Sequence, residues 1–116
     1  MKIIHSSDVA GKKFDADNVK DVTGRVVIGS ADGAKNFCMR VFELGPGGFT
    51  PRHSHDWEHE IFVHAGRGEL LCGGAWKALA PGDAVFIPGA EEHQMRNAGE
   101  GNFVFVCLIP SGPPEL

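Results

Sequence analysis

Sixteen glycines and seven prolines, spread along 116 residues rather than gathered in a linker, cut this chain into apolar runs of about strand length. The runs are Arg25 to Ile28, Asn36 to Leu44, Glu60 to His64, Glu69 to Cys72, Trp76 to Leu79, Ala84 to Ile87 and Asn102 to Ile109. No stretch of helical length carries a 3.6-residue apolar stripe, so the spacing predicts an all-β sandwich or barrel. Gly45-Pro46-Gly47-Gly48, Gly66-Arg67-Gly68, Gly73-Gly74 and Pro81-Gly82 are the expected turns. Cys72-Gly73-Gly74-Ala75 is the best hairpin among them, and Asp15 to Asp21 is polar enough to read as a surface turn.

The length fits a single domain, residues 1–116, with a core that needs no staples. Cys38, Cys72 and Cys107 form no CxxC pair, and their odd number argues against a disulfide framework, so the expectation is a reducing cytoplasm. The first residues turn polar at His5, which leaves no apolar stretch for a signal peptide, and no later run is long enough to span a bilayer. With a formal charge of -4 and scattered Lys and Arg, nucleic acid and membrane surfaces are not expected partners.

Chemistry concentrates in Pro51-Arg52-His53-Ser54-His55-Asp56-Trp57-Glu58-His59-Glu60. Imidazole is a common ligand for Zn, Fe, Ni, Cu and Mn, so three histidines in seven residues, with His93 downstream, make a metal site the leading hypothesis. On a strand, His53, His55, Trp57 and His59 share one face, Glu58 and Glu60 take the other, and a neighbouring strand can bring His93 opposite. A rival pattern overlaps, since His55-Asp56-Trp57-Glu58-His59 spells H-x-x-E-H, a metalloprotease signature that requires a helix. Pro51 upstream and the β-prone Ile61-Phe62-Val63 downstream oppose a helix there.

Written as spacing, Gly47-x5-His53-x-His55-x3-His59-x6-Gly66 resembles the first motif of the cupin family. Gly82, Pro88, His93 and Asn97 similarly meet the second, with Ala90 where the family has its inner glycine. The two motifs span 47–97. His59 stands where the family usually has glutamate, and its six-residue spacing to Gly66 favours it over Glu60. The chain is thus similar to small single-domain four-histidine cupins, which implies a jelly-roll β-barrel, a homodimer and one divalent transition metal per chain on His53, His55, His59 and His93. The resemblance leans toward Mn or Fe, with Zn, Ni and Cu also compatible with imidazole.

Four neutral ligands leave the ion's charge uncompensated, making it a stronger Lewis acid, and a six-coordinate ion would keep two open positions. The leading functional expectation is a metal-dependent, dioxygenase-like oxidoreductase acting on a small organic molecule in the barrel. The alternatives are a non-catalytic metal-dependent binding module and a sugar or keto-acid isomerase, for which Glu58 and Glu60 have the wrong parity. In the last run, Phe103, Phe105, Cys107 and Ile109 share a face, and if that face looks inward Phe105 and Cys107 line the pocket; Arg40 either faces solvent or offers an anion anchor there, and similarity to the family favours the inward placement.

Overall fold

The computed structural model describes all 116 residues. Nine strands form: β1 (Lys12–Ala16), β2 (Val19–Ile28), β3 (Phe37–Phe49), β4 (His59–Ala65), β5 (Gly68–Cys72), β6 (Ala75–Leu79), β7 (Ala84–Ile87), β8 (His93–Asn97) and β9 (Phe103–Pro110). The only helical pieces are 3-10 turns at Ser6–Asp8 and Ser30–Asp32, and no helix is long and apolar enough to cross a membrane. All seven expected runs become strands, five with ends displaced by at most one residue and two extended into the longer β2 and β3, and the hairpin pairs Cys72 with Ala75.

The antiparallel strands follow the order β6-β5-β8-β3-β9-β4-β7, with β2 also on β3 and β1 on β2. Strand β3 serves both layers, because Phe37 to Leu44 pair with β9 whereas Phe49 pairs with Arg96 of β8. Its crossing point is Gly45-Pro46-Gly47-Gly48. Gly47 sits at φ +76°, and a Cβ on Gly48 would lie 2.8 Å from the Gly45 carbonyl oxygen, so both positions demand glycine. The bend curls the sheet into a jelly-roll barrel.

Alternation along β9 builds the core from one strand: Phe103, Phe105, Cys107 and Ile109 are buried, while Val104, Val106 and Leu108 turn outward and are half-buried. Leu44 and Val63 join Phe103 and Ile109 as the fully buried side chains, each contributing about 1.5–3 kcal/mol relative to exposure. Asn97 ties the layers together. Its amide donates to the Leu44 and Gly101 carbonyls, and its oxygen accepts from Gly99 N.

Three expectations are corrected. Asp15 to Asp21 is a surface turn only at Asp17 and Asn18, since β1 and β2 take up the rest and Val19 is buried. The signal was hidden because β1 is largely exposed and because the register of β2 shifts between Lys20 and Val22, where Asp21 adopts φ +48°, breaking the alternation. Second, His53 and His55 do not lie on a continuous strand: 50–58 is a loop, touched by one isolated bridge from His53 to His93. Third, β8 was not among the apolar runs because its buried positions are His93, Met95 and Asn97, only one of them strongly apolar.

Candidate metal centre and cavity

The loop carrying His53 and His55 is fixed at both ends of its approach to the barrel. His53 and His93 exchange backbone hydrogen bonds of 3.1 and 2.9 Å, and Ala90 N donates to the His55 carbonyl at 2.6 Å. Gly89 packs so closely beneath the loop that a Cβ there would lie 2.2 Å from the Asp56 carbonyl oxygen. His93 enters from β8 and His59 from the first position of β4. A loop, a strand start and a neighbouring strand therefore gather what a single strand face was expected to align.

His53, His55 and His93 each bring one ring nitrogen within 4.8 Å of the others. His59 lies against this trio, its Nε2 2.8 Å from Nε2 of His55 and its ring centroid 5.1 Å from that of His93. The outward nitrogens are tied down. Nδ1 of His55 donates to the Trp57 carbonyl at 2.8 Å, Nδ1 of His93 donates to the Glu91 carbonyl at 2.9 Å, and Nδ1 of His59 is 3.3 Å from Cys107 Sγ. For His55 and His93 such anchoring on a carbonyl fixes the tautomer and turns Nε2 toward the cavity, as metal-binding histidines require. Trp57 stacks on the His55 ring at 4.2 Å and 8°, holding its plane.

Burial lowers the pKa of His59 to about 3, helped by the Arg40 guanidinium and the other histidines. His53, the most exposed of the four, is lowered to about 4, first by burial and then by His93 and His55. His55 moves in the same direction, chiefly through burial. All three are therefore neutral at pH 7, the state in which imidazole can bind a metal. The H-x-x-E-H protease pattern lacks its helix, because His55 is in the loop and His59 begins a strand.

The histidines open onto a cavity of about 270 Å³. Its walls are mainly apolar and aromatic, including Phe14, Phe42, Trp57, Ile61, Met95 and Phe105. Arg40 and Cys107 line it as well, so all the residues singled out from the sequence reach one space. Arg40 is 7% exposed, stacks over Phe42, and donates to Cys107 Sγ at 3.0 Å and to the Glu115 carbonyl at 3.3 Å. Burial raises the pKa of Cys107, with Arg40 opposing, so the group remains a thiol. Sequence reasoning missed Phe14, Val19 and Val22 as lining residues; a lone phenylalanine in the polar stretch before β2 was the available signal.

A family model described as a cupin domain matches residues 40–109. The chain is a cupin. Among solved structures, the polyketide cyclase RemF from Streptomyces resistomycificus superposes with a TM-score of 0.90 at 36% identity, covering 98% of this cupin and 82% of that chain. A 1-methylthio-D-xylulose 5-phosphate methylsulfurylase of Rhodospirillum rubrum is 38% identical over 71 residues, 61% of this cupin and 46% of that protein. A glucose-6-phosphate isomerase of Thermococcus onnurineus is 30% identical over 92 residues, 69% of this cupin and 49% of that protein. The cupin thus spans about half the length of these two curated relatives. One barrel supports several chemistries, and the site must choose among them.

Proposed function

We propose that this cupin is an enzyme holding one divalent transition metal through His53, His55, His59 and His93 and acting on a small organic molecule in the barrel cavity. The observation carrying this reading is the engagement of Nδ1 on His55 and His93 by backbone carbonyls, which leaves their Nε2 atoms facing inward, with His59 Nε2 beside that of His55. A divalent ion would supply a Lewis acid with open positions for a substrate oxygen and, if it is Mn or Fe, for dioxygen. The protein supplies the rest: Ile61, Met95, Phe42 and Phe105 exclude water, and Arg40 offers positive charge beside the histidines.

For the reaction, similarity over nearly the whole chain to a polyketide cyclase supports rearrangement or ring closure of an enolisable carbonyl compound. The dioxygenase-like oxidoreductase is the second reading, favoured by a cavity with no carboxylate to serve as general base. That same lack weakens the sugar or keto-acid isomerase reading. A homodimer remains part of the proposal, supported by an apolar outer face on which Phe62 and Phe86 are 53% and 61% exposed. Three unpaired cysteines fit a cytoplasmic setting.

The test is incubation of the metal-loaded protein with 1,3-diketones and short polyketone chains, in air and under nitrogen, with products resolved by mass. Loss of water or ring closure that persists under nitrogen supports the first reading. Oxygen-dependent incorporation of oxygen supports the second, and metal-dependent binding without turnover under either condition would reduce the protein to a binding module.

A further inference from the structure

We propose that the ligand of this cavity is a compact, mostly apolar oxyanion, an enolate, phenolate or carboxylate on an unsaturated carbon body, whose charged oxygen is taken by Arg40. This deepens the small-molecule reading above and rests on it for the identity of the cavity as the working site.

The first ground is charge. Arg40 is buried, yet none of the protein's ion pairs includes it, and no aspartate or glutamate lines the cavity. A guanidinium keeps its charge, so the cavity carries an uncompensated cation even without a metal, and a divalent ion would add to it. Buried charges need a counter-charge, and with no acidic side chain in the lining and no ion pair on Arg40, a ligand can bring one.

The second ground is hydrogen bonding. Arg40 Nε is buried with no acceptor, and the guanidinium has more N–H donors than the Glu115 carbonyl and Cys107 Sγ can satisfy. Those same contacts, with Phe42 beneath the guanidinium plane, hold it in place beside the histidines. A ligand oxyanion beside it would meet fixed donors rather than a flexible chain.

The third ground is what the walls lack. Apart from the four histidines and Arg40, the polar side-chain groups of the cavity are Thr50, Cys107 and the indole N–H of Trp57. Thr50 Oγ1 already accepts from Met95 N and approaches the Met95 carbonyl. A sugar phosphate would bury several hydroxyls against Phe14, Phe42, Ile61, Met95 and Phe105 with no partners, each weakening binding about tenfold or more. An aromatic or conjugated body suits the same walls. The cavity therefore separates this protein's ligand from the sugar phosphates named for two of its relatives.

The test is calorimetric titration of the wild type and of Arg40→Met with benzoate, benzamide and glucose 6-phosphate, each on metal-loaded and on chelator-treated protein. Wild type should bind benzoate at least tenfold more tightly than its neutral isostere benzamide, with and without metal, and should bind glucose 6-phosphate more weakly than benzoate. Arg40→Met should weaken benzoate about tenfold or more and leave benzamide unchanged. Equal binding of benzoate and benzamide by the wild type, a failure to bind benzoate, tighter binding of glucose 6-phosphate, or a benzoate preference that survives in Arg40→Met would each overturn the assignment. The wild-type comparison decides the matter even if the variant does not fold. Metal content, read separately by elemental analysis, distinguishes the two proposals: an Arg40-dependent benzoate preference in a protein that binds no metal keeps this one and removes the metal reading.

Discussion

Glu60→Gln should make the protein more stable at pH 8 and leave it nearly unchanged at pH 5. Glu60 points to the outer face of β4, where its ladder neighbours are Leu108 and Phe86, and its Oε2 is buried with no hydrogen-bond partner. Burial first, then the neighbouring Glu58 carboxylate, raises its pKa from the ordinary 4.5 to about 7. The folded state thus holds the proton more tightly than the unfolded chain. Its contribution is fully present below pH 4.5 and is lost as pH rises through about 7. Taken at face value the shift corresponds to about 3 kcal/mol, and the solvent reaching part of this side chain reduces that to about 1–2 kcal/mol. Urea unfolding of chelator-treated wild type and variant at pH 5, 6.5 and 8 measures it. Because the lowered histidines act in both proteins alike, they cancel in the difference. The reasoning fails if the stability difference between variant and wild type is the same at all three pH values.

Ala90 occupies φ +67° where the second cupin motif has glycine, so Ala90→Gly should raise the unfolding free energy by about 0.5–1 kcal/mol in the same assay. Asn97→Ala should cost about 2–3 kcal/mol, because it strands the Leu44 and Gly101 carbonyls and Gly99 N; a loss under 0.5 kcal/mol would show that water replaces the side chain freely. The double variant Phe62→Glu, Phe86→Glu should convert a dimer to a monomer in sedimentation without changing metal content, and an unaltered dimer would remove this face as its interface.

Much of the barrel was legible because its runs alternate or end at glycines with definite work to do. At Gly66 that work is visible: φ is +80°, and a Cβ would lie 2.1 Å from the Asn102 carbonyl oxygen. Strands β1 and β8 escaped because their inward positions are sparse or polar, Phe14 alone in one and His93, Met95 and Asn97 in the other. The convergence of His53, His55 and His59 is expected for a geometric reason that the fold replaces, since loop hydrogen bonds from Ala90 and His93 place His53 and His55 and the start of β4 places His59. What no spacing could show is the chain of contacts from His59 through Cys107 to Arg40, which links residues 19 to 67 positions apart and exists only once β3, β4 and β9 lie side by side.

The dissociation constant for Mn(II), measured by chelator competition at pH 7.5 on wild type and His59→Ala, bears most directly on the proposed four-histidine centre. Wild type should take up one ion per chain, and His59→Ala should bind it at least tenfold more weakly while unfolding cooperatively. Unchanged affinity in His59→Ala, or a folded wild type that binds neither Mn(II) nor any other divalent transition ion, would contradict it.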